Sequence, residues 1–116
     1  DNKSALKVCV HALKSHENDD TLHRNKGNIL YALDEPEKAL EAFEKALDLN
    51  PYVVDTWVNK GTVLWKGLTE REKALAAFDK ALEINPNFMA AVDSRINLMA
   101  EIKANRPPFW KRIFGG

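Results

Sequence analysis

From Ala39 to Leu47 the apolar residues fall at Ala39, Leu40, Phe43, Ala46 and Leu47. This i, i+1, i+4, i+7, i+8 spacing places them on one stripe of a 3.6-residue period. Glu37, Lys38, Glu41, Glu44, Lys45 and Asp48 fill the opposite face, and Glu41 and Lys45 have the i, i+4 separation that favours an ion pair. The pattern predicts an amphipathic helix, and it recurs. Ala74, Leu75, Phe78, Ala81 and Leu82 repeat it 35 residues later, and each copy runs on to an Asn-Pro pair, Asn50-Pro51 and Asn85-Pro86. Upstream of each copy, Asn25-Lys26-Gly27 matches Asn59-Lys60-Gly61 at a spacing of 34. The second copy therefore holds one extra residue, expected in the turn around Gly67-Leu68-Thr69, where added length costs little. Earlier still, Ala5-Leu6, Cys9 and Ala12-Leu13 are a worn version of the same element, and Met89 to Ala104 reads as a first helix with no matching second helix after it.

The predicted helices cover roughly 4–16, 20–33, 37–49, 53–66, 70–84 and 87–105, with ends good to about 2–4 residues. Pro36, Pro51 and Pro86 suit first helical turns, each closely preceded by an Asp, Asn or Glu able to cap. Thr69-Glu70-Arg71-Glu72 has the form of a capping box. Gly27 and Gly61 fall mid-helix, where each costs about 1 kcal/mol relative to alanine. Such a cost is tolerated where a side chain would block the approach of a neighbouring helix. Ala39, Ala46, Ala74 and Ala81 leave the matching space, and Phe43 and Phe78 fill it. No hairpin of this kind buries its stripe alone, so stability must come from stacking on the next.

These residues resemble the tetratricopeptide repeat, a helix-turn-helix of about 34 residues with the signature W-x2-L-G-x2-Y, then A-x3-F, then P. Trp57, Gly61, Ala74, Phe78, Ala81 and Pro86 match in one copy, and Gly27, Ala39, Phe43, Ala46 and Pro51 in the other. Lys26 and Lys60 stand where the pattern has Leu, Leu30 and Leu64 where it has Tyr, and His23 replaces Trp, which should leave the first copy looser. The resemblance covers residues 5–105 or so. It implies an all-α fold: a right-handed superhelical array of antiparallel helix hairpins, about six helices in all. The expected units are a helix of a degenerate preceding repeat (1–19), two complete repeats (20–53 and 54–88), a C-terminal capping helix (89–105) and a basic aromatic tail (106–116).

In this family the first helices of successive repeats line a concave groove. By that resemblance the face carries Thr21, Arg24, Asn25, Asn28, Tyr31 and Ala32, then Asp55, Val58, Asn59, Thr62, Trp65 and Lys66, and from the last helix Ala90, Asp93, Ser94, Asn97 and Glu101. The candidate peptide contacts are Arg24, Asn25, Asn28, Tyr31, Asp55, Asn59, Thr62, Trp65, Lys66, Asp93 and Asn97. Asn side chains offer donors and acceptors to a peptide backbone, and Arg24 and Lys66 can meet carboxylates. Tyr31 and Trp65 each lie four residues after a repeat glycine and could act as an aromatic anchor pair or simply cover inter-repeat surface. Some family members clamp the C-terminal carboxylate of a chaperone tail. Arg24, Asn28 and Asn59 stand at matching places here, but Ala90 and Ser94 replace the cationic pair, so the clamp is half missing. The expected function is a protein-interaction module that binds a peptide or partner helix in the groove. The alternative is a structural or self-associating scaffold that uses its ends and tail.

Charge changes this picture only at the C-terminus. Seventeen basic residues balance seventeen acidic ones, so no bulk field points to nucleic acid or membrane. From Lys103 onward, however, Lys103, Arg106, Lys111 and Arg112 meet no acid. Phe109, Trp110, Ile113 and Phe114 recur beside them at i, i+1, i+4, i+5, with Phe109, Trp110 and Phe114 as candidate contacts. Three readings of this tail follow: first a cap folded back over the last helix, then a protein-docking arm or homo-oligomer contact, and last a membrane contact. The lone Cys9 occupies the position of Phe43 and Phe78 and reads as a buried small hydrophobe, and its isolation fits a reducing, cytoplasmic setting. His11 and His16 are five apart, off the spacing of a shared metal, and no phosphate loop or catalytic motif occurs. Neither a metal, a cofactor nor enzymatic activity is expected. The first residues do not resemble a signal peptide, no apolar run reaches the ~18 residues of a membrane span, and a start at Asp1 suggests a piece of a longer protein.

Overall fold

The structure, a computed structural model, describes residues 1–115, and helices are the only regular structure among them. α1 is Asn2–Ser15, α2 Asp20–Ala32, α3 Pro36–Leu49 and α4 Val54–Thr62, which continues into a π-helical turn, Val63–Gly67. α5 is Arg71–Ile84, α6 Met89–Ala104 and α7 Phe109–Phe114. Local chemistry explains the starts. Asp1 Oδ1 accepts from the Ser4 amide at 2.8 Å, and Asp19 Oδ1 from the amides of Thr21 and Leu22 at 2.9 and 3.3 Å, so both first turns have a donor satisfied by a carboxylate. Pro36 opens α3 as expected.

The helices pair as antiparallel hairpins stacked in a row, α1 with α2, α2 with α3, α4 with α5 and α5 with α6. The result is elongated, 59 × 28 × 21 Å, with a radius of gyration of 16.5 Å, against about 13 Å for a compact domain of this length. Each hairpin has the same centre. A Cβ built on Gly27 would lie 2.6 Å from Phe43 Cε1, and one built on Gly61 would lie 2.6 Å from Phe78 Cε1. The ring of the second helix thus rests directly on the backbone of the first, and both rings are buried. Around Phe43 pack Leu30, Ala39, Ala42 and Val63, and around Phe78 pack Leu64, Ala74, Ala77 and Leu98. Val63 and Leu98 come from the next hairpin along, so neither centre is complete without its neighbour. At the worn N-terminal copy Cys9 is buried where the two Phe rings lie elsewhere, and its thiol donates to Leu22 O at 3.2 Å.

Five local expectations are corrected. The extra residue of the second copy enters the helix, not the turn. Leu33 N donates to Ile29 O at 3.0 Å, an α-type bond, whereas Leu68 N donates to Val63 O at 3.0 Å, one residue wider. The turns that follow are alike: Glu35 N donates to Leu30 O at 2.9 Å and Glu70 N to Leu64 O at 2.8 Å. Both turns also need a left-handed residue, Asp34 with φ 62° and Thr69 with φ 56°. That requirement undoes the capping box, because an N-cap needs extended backbone; Glu70 caps α5 in its place, without a side-chain hydrogen bond. Pro51 and Pro86 lie in the turns before α4 and α6, where Asn50 and Asn85 accept from the Tyr52 and Asn87 amides at 3.3 and 3.1 Å as Asx-turns. Glu41 and Lys45 do not pair; the i, i+3 ion pairs of these hairpins are Glu35–Lys38 at 3.2 Å, Glu70–Lys73 at 3.6 Å and Lys80–Glu83 at 3.2 Å. Lastly, the tail forms a seventh helix that covers nothing. Pro107-Pro108 turns the chain away from α6, and Phe109, Trp110, Ile113 and Phe114 are all exposed, so the folded-back cap is not formed.

Candidate functional site

Asn28 on α2 and Asn59 on α4 meet across the two repeats, with Asn59 Nδ2 donating to Asn28 Oδ1 at 3.1 Å. Further along the same face, Trp65 in the π-helical turn reaches α6, where its Nε1 donates to Glu101 Oε2 at 2.7 Å. Arg71, at the start of α5, donates from Nε to the same oxygen at 2.8 Å. Lys66 Nζ stands 3.9 Å from the centre of the Trp65 ring, and the edge of that ring meets Phe78 at a centroid distance of 6.3 Å. Trp65 is therefore held from four sides: a cation, a carboxylate, the buried Phe78 ring and its own helix. The two hydrogen bonds, from Arg71 and then from Trp65, hold the Glu101 carboxyl below the ordinary glutamate range.

The other predicted groove residues are placed as follows. Tyr31 is half-buried against the first core cluster and lies beside Gly67, whose Cβ would come 3.4 Å from Tyr31 Cε1 and 2.8 Å from Pro36 Cβ. Gly67 thus allows the π-helical turn to close onto the preceding hairpin. Thr62 turns its hydroxyl back onto its own helix, donating to Val58 O at 3.0 Å. Among the described residues, Arg24, Asn25, Asp55, Asp93 and Asn97 make no side-chain hydrogen bond or ion pair, and all but the half-buried Arg24 are exposed. The tail residues Phe109, Trp110 and Phe114 stand apart from this face. Among the described residues, a hydrogen bond joins Asn28 with Asn59 and a cation–π contact joins Lys66 with Trp65 within the predicted set.

Glu101, placed on the groove face by the sequence but not among its candidate contacts, and Arg71, which the sequence reading missed, hold Trp65 in place. Glu101 continues the i, i+4 row of Asp93 and Asn97, which is a usable signal. Arg71 gave none, since its partner is 30 residues away. His23 also departs from expectation. Trp57 Nε1 donates to Pro51 O at 2.7 Å, and His23 Nε2, with its proton there, makes the same 2.7 Å bond to Glu17 O one repeat earlier. The imidazole keeps the polar anchor of the indole it replaces.

Three clefts lie on other parts of the surface. A cleft of about 400 Å³ between α3 and α5 is floored by Leu40, Trp57, Leu64 and Ala77. A larger one of about 920 Å³, between α1 and α3, lies over His23 and Leu30. A third, of about 760 Å³ at the α5–α6 end, exposes Leu75, Met99 and Ile102. None of these three is lined by a residue of the predicted groove set. Burial pushes the Cys9 thiol above its ordinary value, the opposite of nucleophile activation. Among the described residues no group of three or more His, Cys, Asp or Glu is placed to hold a metal, and no helix is long and apolar enough to cross a membrane.

Comparison with curated protein sequences finds no match. Solved structures do match. The first tetratricopeptide domain of Spaghetti (RPAP3), determined with an HSP90 peptide of sequence SRMEEVD, superposes with a TM-score of 0.83 at 17% identity over 88% of this chain and 80% of that one. The Sgt2 domain from Aspergillus fumigatus gives 0.83 at 22% identity over 92% and 74%. YrrB, described as a tetratricopeptide repeat protein with an unusual peptide-binding site, gives 0.77 at 30% identity over 81% of this chain, which spans about half of YrrB (48%). Sequence profiles of the tetratricopeptide repeat match residues 21–52 and 54–88, more than half of the chain. With the glycine-on-phenylalanine centres and the stacked hairpins, this shows that the chain belongs to the tetratricopeptide repeat family.

Proposed function

We propose that this protein-interaction module holds an extended peptide, or a partner helix, along the face formed by α2, α4 and α6. The carrying observation is the Asn28–Asn59 pair. Once Asn59 has donated to Asn28, the pair still offers the Asn28 amide donors and the Asn59 carbonyl to an incoming chain, the complement of a peptide group. Trp65, fixed by Glu101, Phe78 and Lys66, supplies a rigid aromatic surface on one side, and Arg24 and Asn25 supply uncommitted polar groups on the other. Rigid anchors cost little entropy on binding. The peptide-bound Spaghetti domain and the peptide-binding YrrB are consistent with this reading. No step of chemistry is assigned to the face.

Selection from a displayed random-peptide library, followed by titration of the selected peptides, tests the proposal. The Asn59→Ala, Trp65→Ala double variant should bind them about 1–3 kcal/mol more weakly and keep most of its helicity. Undiminished affinity would reject the face. A second reading, self-association through the ends, is supported by exposed Val8 and Val10 on α1 and by Met89, Ile96 and Met99 on α6. Sedimentation that shows a monomer at high concentration would dismiss it.

A further inference from the structure

We propose that the segment from Lys103 to Phe114 is an arm that docks α7 onto an anionic lipid surface. Four observations converge. α7 leaves its large apolar side chains in solvent, with Phe109 69%, Trp110 58%, Ile113 57% and Phe114 81% exposed. Leaving four such side chains uncovered on six residues is costly unless something else receives them. On a helix, Phe109, Ile113, Trp110 and Phe114 span an arc of roughly 140°, and Lys111 and Arg112 take the remainder, a clean division into an apolar and a cationic side.

The sign of the charge is uniform. Lys103 and Arg106 precede α7, Lys111 and Arg112 lie on it, and no acid follows Glu101. A protein partner of unspecified chemistry does not require every charged position to be basic; attraction to a negatively charged surface does. The residue types also fit: Trp and Phe favour the boundary between headgroups and acyl chains, and lysine and arginine reach back to the headgroups along their methylene stems. Lys111 Nζ already stands 5.5 Å from the Trp110 ring, at the border of the two sides.

The nearest protein surface does not suit the arm. The apolar cleft at the α5–α6 end is lined in part by Lys103 and Arg106 of the arm itself, its Arg71 is paired with Glu101, and Glu72 is its one acid, so it has no cluster of acids to match the basic side of α7. Neither that cleft nor its copy on a second chain offers the anionic surface that the four basic residues would match. Pro107-Pro108 prevents α6 from continuing and sets α7 off from the repeats, so the arm and the groove face can be occupied independently.

The test uses the whole 116-residue chain and cosedimentation with vesicles of phosphatidylcholine alone or mixed two to one with phosphatidylserine. The chain should pellet with the mixed vesicles and not with phosphatidylcholine, and added salt should release it. Lys111→Ser with Arg112→Ser should weaken binding about 25-fold, from about fivefold per basic residue. Phe109→Ser with Phe114→Ser should abolish it. Both variants should melt like the parent, since the replaced side chains are all exposed. Equal binding to neutral vesicles, no binding to either, or an altered melt would overturn the proposal. So would a self-association that the tail variants lose, because it would make a second copy the occupant.

Discussion

Gly61→Ala should have opposite effects depending on what stands at position 78. In a helix interior the change gains about 1 kcal/mol of propensity. Here the new methyl would lie 2.6 Å from Phe78 Cε1 and 2.8 Å from Cζ. The ring cannot retreat, because Phe78 is fully buried and its position is braced by the edge contact with Trp65. Overpacking of this kind costs about 1–3 kcal/mol, so Gly61→Ala in the parent chain should come out destabilising or at best neutral. Phe78→Ala alone should cost about 3–5 kcal/mol by opening a cavity between the hairpins. In that background the methyl meets empty space, and Gly61→Ala should now stabilise by about 1 kcal/mol or more, by propensity and by filling part of the cavity. Urea unfolding of the four members of the cycle, followed by far-ultraviolet circular dichroism, gives the coupling energy directly. The decisive quantity is the sign change. If Gly61→Ala stabilises the parent chain as much as the Phe78→Ala chain, the glycine is not there for the ring, and the account of the repeat centre is wrong.

Two further outcomes follow from local geometry. Thr69 holds φ at 56°, where a β-branched side chain is strained, so Thr69→Asn, which tolerates that region, should raise stability by about 1 kcal/mol in the same unfolding assay. The Glu101 carboxyl is held below its ordinary range by Arg71 and Trp65. A depressed carboxyl contributes stability that is full at neutral pH and lost as pH falls through its folded value. Glu101→Gln should therefore melt below the parent at neutral pH, with the gap closing in acid; a gap that does not vary with pH would remove the ionic part of that contact.

The family and the helical architecture are legible in the sequence because they rest on side-chain periodicity and on glycines whose cost needs a packing reason. Gly27 with Phe43 and Gly61 with Phe78 illustrate this: a large ring 16 or 17 residues after a mid-helix glycine supplies that reason twice over. The parts that are not legible depend on competition between local and tertiary demands. Thr69 to Glu72 satisfies a capping motif on paper, but the turn between α4 and α5 requires a left-handed residue at position 69, and the turn prevails. The position of the surplus residue is hidden, because a turn and a widened helix leave the same spacing in the flanking sequence. Of the candidate face, the Asn rows follow from the repeat, whereas the Trp65–Glu101–Arg71 contact joins three elements at separations of 30 and 36 residues and has no local signature. The tail follows neither rule. Its apolar stripe suits a cap, but the paired prolines decide its direction.

The widened turn at Val63–Gly67 bears on how such arrays change length. One residue added to a continuous helix would swing everything beyond it by about 100°. Here the surplus is stored as slack within a single turn, and α5 departs from Glu70 as α3 departs from Glu35. The spine of the stack keeps step while the inserted site alone is re-aimed. Repeat proteins built this way need not preserve a strict residue count to preserve their superhelix. A length change can be tried within one turn, altering what that turn displays, without the rest of the stack losing phase.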